Sequence, residues 1–184
     1  EGLVGYVGIS THGVAGAELV LKHPELEVLL PIVNQVGRGL RNGTMAGMIE
    51  VTRAAYAAGK ATYAMKVLAG GHLVGEFQQH LQWGRQLGCL HAITVGMKTV
   101  DEVEADVAVF EEREVPPHLA QTLAGQKRIK VLLGQCAGCG SCVAICPAGA
   151  LKVNAEAKAE CDHSLCILCG YCGSACPKFA IRLV

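Results

Sequence analysis

Cysteine spacing constrains this chain more than any other feature. Cys136, Cys139, Cys142 and Cys146 follow C-x2-C-x2-C-x3-C, with Pro147 next. Cys166, Cys169, Cys172 and Cys176 repeat the spacing, with Pro177 next. A loop with a Cys at every third residue can wrap three thiolates around three corners of one iron-sulphur cube, and the fourth Cys points to a second cube. The spacing therefore predicts two [4Fe–4S] clusters with crossed ligands. Cluster one is expected to take Cys136, Cys139, Cys142 and Cys176. Cluster two is expected to take Cys166, Cys169, Cys172 and Cys146.

Two other uses of the cysteines fit less well. A zinc site uses C-x2-C pairs set apart by a longer spacer, without a third Cys in tandem or a Pro-terminated fourth. A disulfide framework needs an oxidising compartment, and the N-terminus Glu1-Gly2-Leu3-Val4-Gly5 has no basic stretch of the kind that opens a secretory signal. Gly138, Gly140, Gly170 and Gly173 sit among the ligands and let the backbone approach an inorganic core. Two cysteines, Cys89 and Cys161, are left over. A reducing cytoplasm suits all of them.

Apolar residues make up 51% of the 184 positions, enough to bury a real core. The formal net charge is zero, so no global field draws the chain to nucleic acid or to an anionic membrane. No uncharged apolar run reaches the roughly 20 residues of a membrane-spanning helix. The sequence does not begin with Met, so a processed chain or a piece of a longer one is expected.

Residues 1–112 alternate short apolar strands with amphipathic stretches. Strands are expected at 4–9, 27–33, 61–67 and 90–95. Helices are expected at 14–22, 44–58, 72–87 and from Thr99 to Phe110. Thr99 and Glu102 form a capping box, and Val100, Val103, Val107 and Phe110 are the expected buried face of that last helix. Gly59 reads as a helix-ending glycine. Continuous apolar strands between helices imply a parallel sheet. Four such units are half of a (β/α)8 barrel. Pro116-Pro117 marks a boundary, with a linker at 113–128 that could hold a short helix at 118–123. The cysteine-rich domain spans 129–184. Strands are expected there at 127–133, 150–153 and 181–184. The fold class is thus α/β, a partial barrel of about four βα units, followed by a small α+β domain.

The strand ends carry a resemblance. Val7 to His12, Leu30 to Asn34, Met65 to Leu73 and Ile93 to Thr99 lie in the order and spacing of strands five to eight of aldo/keto reductase barrels. The chain resembles the C-terminal half of that barrel fused to a bacterial-type two-cluster ferredoxin domain. The resemblance places the catalytic Asp, Tyr, Lys and His in the first barrel half, which this sequence does not contain. No catalytic role is carried over to any residue here. It does imply cofactor-binding roles for Ser10, Asn34, Lys66, Gly70, Gly71 and Lys98. Asp101, Glu102, Glu104 and Asp106 stand where NADPH-using members carry a further basic residue, and they would repel a 2′-phosphate. Nicotinamide or flavin use is left open.

Other polar residues have plain structural readings. His12 sits just after a strand, where barrel enzymes place chemistry, yet it fits the start of a helix equally well. His72 and Lys66 flank the Gly70-Gly71 turn, where they fit an anion site, although a lone Lys is more often simply solvated. His91 reads as structural, Cys89 as a small buried hydrophobe, and Cys161 as packing beside ligand sets that are already complete. Trp83 is expected on a helix facing the sheet or a partner. The resulting expectation is single-electron relay by two clusters serving an oxidoreductase module. A flavin-containing or other redox protein is the expected partner. A missing barrel half or an oligomer partner is expected to complete the sheet. The alternative is a non-catalytic half-barrel scaffold or docking subunit that carries a ferredoxin wire.

Overall fold

The computed structural model describes residues 2–97, 99–119 and 128–184. Their contacts divide into two units, one of residues 2–69 and 73–119 and the other of residues 70–72 and 128–184. The helix considered at 118–123 lies largely outside the described residues, as does part of the linker at 113–128.

The first unit holds β1 (Gly8–Thr11), β2 (Val28–Pro31), β3 (Ala61–Met65) and β4 (Ala92–Thr94) in one parallel sheet of order β1-β2-β3-β4. Each strand pairs with the next in sequence, so every crossover passes through a helical segment. Leu29, Ala64, Ile32, Val33 and Val67 are fully or almost fully buried and form the sheet side of the core. Among the described residues β1 and β4 each pair on one side only, leaving two sheet edges.

The helices begin where their caps require. α3 (Met45–Ala57) starts at Thr44, whose hydroxyl accepts from the Gly47 amide at 3.0 Å. α5 (Val100–Phe110) starts at Thr99, whose hydroxyl accepts from the Glu102 amide at 3.2 Å, as the sequence predicts. Gly59 ends α3 at φ 78°, a left-handed conformation that favours glycine.

Several boundaries and faces differ from expectation. The stretch at 14–22 divides into α1 (Val14–Ala17) and α2 (Leu19–Lys22), with Ala17 and Val20 buried and Leu21 exposed. The stretch from His72 forms regular α-helix only in α4 (Phe77–Gln86), with Phe77, Leu81 and Gly84 buried. Gly84 touches the sheet closely, since a Cβ there would lie 2.9 Å from Ile93 Cδ1.

The face of α5 is the clearest correction. Val100 is 71% exposed and Phe110 37%, and Val103 and Val107 are also exposed. Ala105, Asp106, Ala108 and Val109 face inward instead. Alanines let the helix axis approach its neighbours, so the helix buries its small residues and leaves its larger apolar stripe uncovered.

The second unit pairs β5 (Ile129–Val131) with β8 (Ile181–Leu183), and β6 (Leu151–Val153) with β7 (Ala159–Cys161), both antiparallel. Strand β7 has no sequence expectation behind it, because Ala159-Glu160-Cys161 lacks β-branched or aromatic residues. Two short helices follow the cysteine loops, α6 (Ser141–Ile145) and α7 (Tyr171–Ala175). Each is entered through a left-handed glycine, Gly140 or Gly170. No helix among the described residues is long and apolar enough to cross a membrane.

Candidate metal centre

The second unit is built as two matching halves around the cysteines. Each half runs strand, cysteine loop, short helix, fourth cysteine, strand. In each half an amide four residues beyond the fourth cysteine donates to its sulphur: Ala150 N–H to Cys146 Sγ and Ala180 N–H to Cys176 Sγ, both at 3.3 Å. Ala159 N–H donates to Cys136 Sγ, also at 3.3 Å. Such bonds hold a sulphur in place and stabilise its negative charge.

The second run's fourth cysteine lies beside the first triplet. One cavity is lined by Cys136, Cys139 and Cys142 from the first run together with Cys176 from the second, and by Lys178 and Ile181. Near the second triplet, burial and then Cys169 and Cys166 raise the Cys172 thiol, with Cys146 from the first run the smallest contributor.

Glycine is required at one point of the first loop. Gly138 has φ 66°, and a Cβ there would lie 2.1 Å from the Ala157 carbonyl oxygen. Lys158 tightens the same loop by donating from Nζ to the Cys136 carbonyl at 2.7 Å.

The thiols are tuned in two directions. The Ala159 and Gly138 amides hold the Cys136 thiol below its ordinary pKa. The Ser141 hydroxyl and amide do the same for Cys139. Burial raises the Cys142 thiol. Burial, then the neighbouring Cys169 and Cys166, push Cys172 up to about 11. Crowded buried thiolates repel one another, and cationic iron removes that repulsion. The donor set fits a thiolate-ligated cluster on this ground and on the N–H···S bonds. Among the described residues no three His, Cys, Asp or Glu side chains meet around a point for one metal ion. A cube spreads its four thiolates over four irons, so its ligands do not converge on a point.

Cys161 lies among the second group, and its thiol is pushed up to about 12 by burial and by Cys166. Cys89 is buried and its thiol is also raised by burial, in keeping with a packing role.

The residues singled out in the first unit are less united. Ser10 is exposed in β1, and Lys66 follows β3 in a left-handed conformation at φ 60°. Lys66 and Arg41 both lower the pKa of His12, after burial as the larger cause, so these three basic groups lie near one another. Asn34 is fully buried, and its side chain is engaged locally: Nδ2 donates to the Arg38 carbonyl and Oδ1 accepts from the Arg38 amide. Gly70 and Gly71, both with positive φ, group with the second unit, whereas Lys66 groups with the first. Lys98 lies outside the described residues. Asp101 and Glu102 occupy the first turn of α5, where the helix dipole favours carboxylates and a bound anion would meet them.

His91 is structural. Its Nδ1 accepts from the Thr62 amide at 3.1 Å and lies 3.0 Å from the Thr62 hydroxyl, and its ring packs on Tyr56 at 4.7 Å. One buried polar residue has no forewarning in the residue pattern: His80, whose Nδ1 meets Gln35 Oε1.

Residues 135–180 match the family described as a 4Fe-4S dicluster domain. NADH-quinone oxidoreductase subunit I of Pelobacter propionicus is 36% identical over 61 residues, covering 27% of this chain and 33% of that one. A component of the ion-translocating oxidoreductase complex of Methanosarcina acetivorans is 48% identical over 48 residues, covering 26% of this chain and 18% of that one. The chain therefore spans a third or less of the length of these curated relatives. With the paired cysteine loops, these matches make residues 135–180 a 4Fe–4S dicluster domain.

Proposed function

We propose that the chain relays single electrons through two [4Fe–4S] clusters to or from an aldo/keto reductase-like oxidoreductase module. The observation that carries this reading is the cavity in which Cys176 joins Cys136, Cys139 and Cys142. The proposed ligand sets are these four, and Cys146 with Cys166, Cys169 and Cys172. Each cluster, when bound, supplies one-electron redox chemistry. The chain's own residues hold the sulphurs still. The amides of Ala150, Ala159 and Ala180 fix Cys146, Cys136 and Cys176, so little protein need move with the charge. Burial of Cys142, Cys166 and Cys172 limits water around the core.

The sequential parallel order of β1 to β4 and their two one-sided edges support reading the first unit as half of a barrel. A missing N-terminal half or an oligomer partner would complete it. In that reading Ser10 and Lys66 are the nicotinamide-facing candidates best placed in this unit. Asn34 serves its own loop. The relatives' names are those of oxidoreductase components, which supports a redox partner such as a flavin-containing subunit. A cytoplasmic, reducing setting fits a chain with ten cysteines.

The exposed stripe of α5 favours a second reading, in which the first unit is a docking scaffold and the clusters are a wire in a larger complex. Reductive titration after anaerobic reconstitution tests the proposal. About two electrons per chain should bleach the visible absorbance, one for each cluster. Tight binding of one or two zinc ions with no bleaching would contradict it.

A further inference from the structure

The two ribbons of the second unit are built to the same plan but charged differently. In β6–β7 the central cross-strand pair is Lys152 opposite Glu160, and their side chains form an ion pair at 3.5 Å. In β5–β8 the corresponding pair is Lys130 opposite Arg182. Like charges directly opposite one another in an antiparallel pair oppose its formation. Both side chains are exposed, and among the described residues neither has a carboxylate partner. Lys178 is likewise exposed and unpaired among the described residues. Residues 128–184 hold six Lys or Arg against three Asp or Glu, although the whole chain is neutral. The excess of positive charge is thus concentrated on this unit, and its unpaired part includes this ribbon.

The ribbon also adjoins a proposed cluster site. Ile181 of β8 and Lys178 line the cavity shared by Cys136, Cys139, Cys142 and Cys176. Ala180, next to β8, donates to Cys176 Sγ. Cys139 is the exposed cysteine of that set. Leu133 and Phe179, which flank the two strands in sequence, are 56% and 64% exposed. Exposed apolar residues beside unpaired cations suit a transient protein contact, in which charge steers the encounter.

We propose that the β5–β8 ribbon, through Lys130 and Arg182, is the docking surface for a small acidic one-electron carrier protein. This rests on the electron-relay reading. In the exchange, the reduced carrier gives up one electron and the Cys136–Cys139–Cys142–Cys176 site gains it. No bond forms or breaks and no proton moves. Opposite charge on the carrier relieves the Lys130–Arg182 repulsion, whereas the other ribbon sets Lys152 opposite Glu160 and has no such repulsion.

The test uses the full chain with its clusters reconstituted, and an acidic flavodoxin as the carrier. Binding is measured by surface plasmon resonance at low and high salt, and electron transfer by bleaching of the visible absorbance. Lys130→Gln is compared with Lys152→Gln, which removes the same charge from the other ribbon. Lys130→Gln should weaken binding roughly three- to tenfold at low salt and flatten its salt dependence. Lys152→Gln should leave binding near wild type, and dithionite should bleach all three proteins equally. Equal effects of the two variants, no effect of Lys130→Gln, or equally tight binding of a basic carrier of similar size would overturn the docking proposal while leaving the relay intact. Failure of dithionite to bleach the iron-loaded wild type would overturn the relay, and the docking proposal with it.

Discussion

The Ala159 amide donates to the Cys136 sulphur at 3.3 Å, across 23 residues of sequence. This bond ties strand β7 to the first cysteine of the cysteine-rich domain. An N–H donor stabilises the more negative, reduced state of a cluster. Losing one donor worth about 1 kcal/mol lowers a one-electron potential by on the order of 40 mV. Ala159→Pro removes the donor, and potentiometric titration should find one of two potentials lowered by about that amount. Two unchanged potentials would count against this role of the amide.

Gly138 and Gly140 both have left-handed φ, but their surroundings differ. A Cβ on Gly138 would collide with the Ala157 carbonyl, whereas one on Gly140 would meet open space. Gly140→Ala should cost about 1–2 kcal/mol, the strain of the backbone alone. Gly138→Ala should in addition displace the first loop and lower iron content towards half. Iron analysis of the two variants under identical reconstitution separates these outcomes.

Thr62 is fully buried and its hydroxyl donates to the Cys89 carbonyl at 2.7 Å. Thr62→Val keeps the shape and leaves that buried acceptor without its donor. The expected loss is about 1–3 kcal/mol, read from chemical denaturation. Iron content should not change.

His12 has its pKa held below 6.5, first by burial and then by Lys66 and Arg41. The unfolded chain therefore binds the His12 proton more readily than the folded one. The His12 contribution to stability is complete above about pH 6.5 and is lost as pH falls through the lower folded pKa. The difference between wild type and His12→Gln in urea midpoint should shrink as pH falls from about 7.5 to below about 6. A difference independent of pH would show that His12 does not titrate in this way.

Parts of this architecture are plain from residue order, and parts are not. The cap at Thr99 is local, so the sequence states it outright, whereas Thr44 reads there only as the first residue of its helix. The crossed ligand sets are an expectation from the Pro-terminated fourth cysteine; Cys176 lines the cavity of the first triplet. The orientation of α5 does not follow, because both its Val/Phe stripe and its Ala/Val face are apolar. Only packing distance selects the alanines. Strand β7 is invisible for a related reason: Ala159-Glu160-Cys161 is held by its partner β6 and by the cysteine loop rather than by propensity. The local use of Asn34 depends on a loop conformation that the spacing of residues does not encode.

Metal and sulphide analysis of the anaerobically reconstituted wild type beside Cys176→Ala tests the central claim most directly. Two four-iron clusters predict about eight irons and eight sulphides per chain in the wild type. The variant should lose the cluster that also depends on Cys136, Cys139 and Cys142, and retain about four irons. A wild type that holds no more than about four irons, or that takes up zinc in their place, would contradict the account.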